Sequence, residues 1–65
     1  NRFIIGFSKN IYFLLKDNMI ILYNGKKFTV LHNQKQDKLL EKNLIQHPNY
    51  SKIQSEFENK LLAFL

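Results

Sequence analysis

The strongest constraint on this chain is the spacing of its turn residues. Lys9-Asn10, Asp17-Asn18 and Asn24-Gly25 fall between apolar runs at nearly equal intervals. Asn, Asp and Gly enter the left-handed backbone region that tight hairpins demand, and Asn-Gly is the strongest short hairpin signal. The runs they separate are Phe3 to Phe7, Ile11 to Leu15, Met19 to Tyr23 and Lys26 to Leu31. These are rich in Ile, Phe, Tyr and Val, side chains that suit a pleated surface. A helix of ordinary length does not fit between such turns. Residues 2–32 therefore read as a four-stranded antiparallel meander.

Two-residue loops set the register, and the register sets the faces. Ser8 is expected opposite Ile11, Lys16 opposite Met19 and Tyr23 opposite Lys26. One face then carries Phe3, Ile5, Phe7, Tyr12, Leu14, Met19, Ile21, Tyr23, Phe28 and Val30. The other carries Ile4, Ile11, Phe13, Leu15, Ile20, Leu22, Thr29 and Leu31. Both are apolar, whereas a free-standing meander has one wet face and a clean alternation. The sheet needs cover on both sides.

From about Asn49 the apolar period changes from two to about 3.6. Tyr50, Ile53, Phe57, Leu61 and Phe64 share a stripe, with Lys52, Glu56, Glu58 and Lys60 opposite. Pro48 precedes the start, and Ser51 with Gln54 has the spacing of a capping box. This amphipathic helix, about 49–65, supplies one cover. Residues 33–48 form the linking loop, in which Asp37 to Gln46 reads as a short helical turn tucking in Leu39, Leu40, Leu44 and Ile45. The expected fold is α+β: a four-stranded antiparallel β-meander with one C-terminal amphipathic helix packed on a face, all in one small subdomain, 1–65. The second face is left for a docking partner or a second copy, because apolar patches of that size rarely stay bare. Phe3, Ile5, Tyr12, Ile21 and Phe28 are the candidate docking face, with Ile4, Phe13, Leu15, Leu22 and Leu31 on the reverse. The pattern alone does not choose which of the two the helix covers.

Size and composition limit the chemistry. A chain of 65 residues holds one marginal domain unless something staples it, and without cysteine neither a disulfide nor a thiolate metal site is available. The chain starts Asn1-Arg2-Phe3 without an initiator Met and stops at Ala63-Phe64-Leu65 inside an apolar pattern with no helix-stop residue, so a piece of a larger protein is the expectation. The longest apolar runs, Ile11 to Leu15 and Met19 to Tyr23, are far short of the ~20 residues of a spanning helix, so no membrane insertion by this segment is expected. The net charge of +5 suits an acidic partner. Only Lys26 and Lys27 are adjacent, however, and the remaining lysines read as a solvated surface.

No residue set reads as catalytic, metal-binding or cofactor-binding. His32 and His47 have no His, Asp or Glu at ligand spacing. Ser8, Ser51 and Ser55 lack a base partner. Gly6 and Gly25 belong to no phosphate loop. Gly25 is a turn residue, and Gly6, mid-strand, implies a bulge or close packing over it. Asp37 and Glu41 stand one helical turn apart but interleave with Lys38 and Lys42, the look of a surface ion-pair lattice. Two rival readings use the apolar surface differently. One is a homodimer closed by the bare face. The other is single-stranded nucleic-acid binding by Phe3, Phe7, Tyr12, Tyr23 and Phe28 beside Lys16 and Lys26. The abundance of Ile, Leu, Met and Val on that face weighs against the latter.

From Phe28 onward the chain resembles the C-terminal end of the sulfatase and alkaline-phosphatase-like superfamily, where a strand runs into a loop of type D-P-x-E-x-x-N-L and then a last amphipathic helix. The corresponding residues are Phe28-Thr29-Val30-Leu31-His32-Asn33, followed by Asp37-Lys38-Leu39-Leu40-Glu41-Lys42-Asn43-Leu44. Asp37, Asn43 and Leu44 keep the spacing, Lys38 replaces the Pro, and Glu41 comes one place late. His47-Pro48-Asn49-Tyr50 is similar to the segment leading into the family's last helix. The lipoteichoic-acid-synthase-like and phosphoethanolamine-transferase-like branches are nearest in flavour. The resemblance implies a four-stranded sheet with a helix against it and a non-catalytic role for this segment. Asp37, Glu41, Asn43 and Leu44 would form a structural loop, with Asp37 and Asn43 bracing it through its backbone. It also implies a partner, the catalytic domain of the same protein, where the nucleophile and a divalent metal would lie. That parent would be membrane-anchored and face the extracytoplasmic side.

Overall fold

The computed structural model describes residues 2–35 and 42–65. Four strands, β1 (Ile4–Ser8), β2 (Ile11–Lys16), β3 (Met19–Tyr23) and β4 (Phe28–Asn33), are followed by a 3-10 turn (Pro48–Tyr50) and the helix α1 (Ser51–Phe64). The sheet is antiparallel in the order β1-β2-β3-β4. The fold is thus the α+β meander with a C-terminal helix.

The first two hairpins form as their dipeptides demand. Lys9 and Asn10 have φ of 50° and 67°, and Asp17 and Asn18 have 50° and 69°. Positive φ at both central residues is the type I′ signature, whose twist matches the strands it joins. Ser8 lies opposite Ile11 and Lys16 opposite Met19.

The third hairpin departs from expectation. Tyr23 pairs with Phe28, not Lys26, across a four-residue loop. The Asn24 side chain takes the turn over: its Oδ1 accepts the N–H of Lys26 at 2.8 Å and of Lys27 at 2.9 Å, and its own N–H donates to the Lys27 carbonyl at 3.1 Å. Such an Asx turn competes directly with the two-residue turn. The register then shifts by one, so that Leu22 faces Val30 and Ile21 faces Leu31. A bulge of this kind reverses every side chain beyond it. Val30 and Leu31 consequently exchange the faces assigned to them from a two-residue loop.

With that exchange the core is explained. Leu14, Ile21, Leu31 and Leu61 are fully buried, joined by Phe57 and Met19, and Phe3, Ile5, Tyr12, Tyr23, Phe28, Leu44, Ile45, Tyr50 and Ile53 pack around them. Burying a side chain of this size contributes about 1.5–3 kcal/mol, so this single cluster carries the domain. The helix covers the face of Leu14 and Ile21.

The helix itself carries two corrections. The capping box does not form: Tyr50 is the N-cap without a side-chain bond, and Ser51 is already helical. Gln54 is buried instead, accepting the Gln46 N–H at 2.7 Å and donating to Glu58 Oε2 at 2.7 Å. Gln46 has φ of 62°, and its N–H in that kinked linker needs an acceptor that the helix face provides. At the far end Phe64 is 65% exposed, outside the stripe ended by Leu61.

Candidate functional site

The helix decides which sheet surface is free. Phe3, Ile5, Tyr12, Ile21 and Phe28, the candidate docking face, lie on the helix side and pack in or around the core, Ile21 with no exposure at all. Intramolecular packing has consumed them, and they are not the free surface. The open surface is the reverse one. By register it holds Ile4, Leu15, Ile20 and His32 in one row and Gly6, Phe13, Leu22 and Val30 in the next. Its apolar members are half-buried to exposed, Ile4 at 55%, and no described element packs over them. Leu31, expected there, is replaced by Val30 through the bulge.

Gly6 serves this surface. A Cβ at Gly6 would lie 2.3 Å from the Phe13 Cζ, so the Phe13 ring rests directly on the Gly6 backbone across the β1–β2 pair. The ladder is unbroken there, so close packing, not a bulge, is why glycine stands mid-strand. An aromatic ring over a strand glycine restores contact that the missing side chain forfeits.

On the helix side, four rings form a row across all strands. Phe7 and Tyr12 have centroids 4.6 Å apart, Tyr12 and Tyr23 6.3 Å, and Tyr23 and Phe28 4.5 Å, tilted by 34–49°. These rings lean on one another, so they are not presented as separate flat platforms for bases. Lys16 is engaged as well. Its Nζ sits 4.5 Å from the Phe3 ring centroid, with Lys60 Nζ at 5.5 Å, while Phe3 meets Phe57 edge-on at 5.6 Å. Phe3 thereby ties the chain start to β2 and α1.

The linking loop braces the outer edge of β4. Asn43 Oδ1 accepts the Leu31 N–H at 3.0 Å and the Ile45 N–H at 3.0 Å, and its Nδ2 donates to the Thr29 carbonyl at 2.9 Å. The Leu44 N–H donates to the Leu31 carbonyl at 2.7 Å. One primary amide thus imitates a neighbouring strand for the bulged segment, and Leu44 is drawn half-buried against the core. Asp37 and Glu41, with Leu39 and Leu40, lie outside the described residues.

The two histidines are held by backbone. His32 Nδ1 lies 2.7 Å from the Lys42 carbonyl oxygen. His47 Nδ1 accepts the Asn49 N–H at 3.2 Å, capping the 3-10 turn, and its ring meets Tyr50 edge-on. Beside His47 opens a cleft of about 510 Å³ lined by Asn33, Lys42, Asn43, Leu44, His47, Asn49 and Tyr50. Its polar groups are amides, one imidazole, one ammonium and the Tyr50 hydroxyl, and no carboxylate lines it among the described residues. Among the described residues no three His, Asp or Glu side chains converge as metal ligands. No described helix is long and apolar enough to cross a membrane.

No protein-family model, curated protein or solved structure matches this chain.

Proposed function

We propose that this chain is a non-catalytic C-terminal subdomain of a sulfatase-like, metal-dependent hydrolase or phospho-group transferase, and that it docks on the catalytic domain of the same protein. The observation that carries the reading is the open sheet face. Ile4, Phe13, Leu15, Ile20, Leu22 and Val30 share one sheet face over which no described element packs, and contiguous apolar faces of this kind mark interaction surfaces. The Asn43-Leu44 brace on β4 supports it, since the resemblance assigns Asn43 a backbone-bracing role. In this reading the nucleophile and the divalent metal belong to the catalytic domain, which faces the extracytoplasmic side of a membrane.

The size of the native product, detected with an antibody against this chain, tests it. A membrane-associated band several times larger than 7.8 kDa is expected. A soluble band near that mass would overturn the reading in favour of a free module that self-associates through the same face. Substitution locates the interface. Leu22→Glu should leave the secondary structure of the chain intact yet lower the soluble yield and activity of the whole protein. Ile21→Glu, in the core, should unfold the subdomain itself.

A further inference from the structure

The two edges of the sheet are unlike, and the difference points to a second binding element. Ser8 and Ile11 flank a two-residue hairpin loop and therefore exchange both hydrogen bonds, so Gly6 with Phe13 and Ile4 with Leu15 do the same. The N–H and C=O groups of Ile5 and Phe7 then point away from β2, into the outer edge. At β4 the Thr29 carbonyl and the Leu31 N–H are taken by Asn43, and the Leu31 carbonyl by Leu44. At β1 no described residue hydrogen-bonds to them.

The usual guards against edge pairing are also missing. Phe3 to Ser8 contain no charge, no Pro and no bulge. Ile4 is 55% and Phe7 57% exposed. The charges stand at the ends of the strand, Arg2 before it and Lys9 after it, both exposed.

We propose that the outer edge of β1 is a strand-addition site for an extended peptide segment that is apolar in its middle and acidic at its ends. The segment lies antiparallel to β1 and pairs its backbone with Ile5 and Phe7. Its carboxylates face Lys9 at one end and Arg2 at the other. Charge disfavours the obvious competitor, a second copy of β1 centred on Gly6. Antiparallel self-pairing about Gly6 places Arg2 of each copy beside Lys9 of the other, like against like at both ends. The proposal holds whichever body covers the open face.

Two short peptides of alternating valine and threonine test it, one with glutamate at each end and one with lysine. The glutamate peptide should bind the chain and slow amide exchange at Ile5 and Phe7 while leaving Leu31 unchanged. The lysine peptide should bind at least about fivefold more weakly, with the gap closing in high salt. Phe7→Pro removes one edge N–H and should weaken binding about tenfold, whereas Phe7→Ala keeps the N–H and should weaken it less. Equal binding of both peptides, or binding without protection of Ile5 and Phe7 in the unmodified chain, would overturn the proposal. So would a chain dimer that Phe7→Pro dissociates, since the occupant would then be a second copy. The exchange measurement on the unmodified chain decides the matter even where the proline variant does not fold.

Discussion

Two residues do work out of proportion to their size. Asn43 makes three hydrogen bonds through one amide, two of them to a strand edge that would otherwise meet only water. Asn43→Ala should cost about 1–2 kcal/mol, at about 1 kcal/mol for a typical net bond and less for exposed ones. Urea denaturation gives the loss, and amide exchange at Leu31 should quicken more than at Leu14. Gly6 is the converse case, where the absence of a side chain matters. Gly6→Ala drives a methyl into the Phe13 ring and should destabilise by about 1 kcal/mol. In a Phe13→Ala background the same change should become neutral or stabilising, because alanine is the better strand residue once the ring is gone. A double-mutant cycle that found no coupling would mean the ring does not rest on Gly6.

At the scale of elements, the hairpins show how far local chemistry reaches. The β1–β2 and β2–β3 turns were legible because each offers one dipeptide able to take two positive φ angles. Neither carries the best residue at its second position, so Asn18→Gly, at φ of 69°, should stabilise the chain by up to about 1 kcal/mol. A thermal melt checks this, and a lower midpoint would show that the Asn18 side chain has a role beyond the turn. The β3–β4 turn departs from the Asn-Gly expectation for a physical reason. Asn24 can serve an Asn-Gly turn through its backbone or a longer loop through its Oδ1, and apolar pattern does not distinguish the two. Nor does Phe28-Thr29-Val30-Leu31 alternate clearly enough to reveal a one-residue slip. The helix was legible from its period, but its exact stripe was not. Gln54 replaces Phe64 in the buried set because the linker arrives with an N–H to satisfy, and because the sheet ends before Phe64 does.

For the whole molecule the decisive feature is a sheet with two apolar faces and one helix. The isolated chain should therefore fold and still bind a hydrophobic dye such as ANS. Leu22→Glu should reduce that binding without lowering the urea midpoint by more than about 0.5 kcal/mol, as expected of a surface change. Leu61→Ala, by contrast, opens the only described cluster and should cost about 2–5 kcal/mol, enough to unfold a domain of this size. Unchanged dye binding in Leu22→Glu would mean that the open face is not the exposed apolar surface.

By itself the sequence determined the strands, the helix, their order and the apolar character of both sheet faces, because turn dipeptides and apolar period are local properties that each segment carries with it. Asn43 was marked out only through its place in a loop pattern, and its partners on β4 lie twelve and fourteen residues away. Which face the helix takes was left to tertiary structure, since two apolar faces look alike to any pattern. The Asn24 loop and the bulge after it turn Leu31 toward the core, and the brace on β4 brings Leu44, Ile45 and the start of α1 to the same side. The shift in the β3–β4 ladder thus places Leu31 rather than Val30 in the core beneath the helix, and that placement depends on contacts no local window contains.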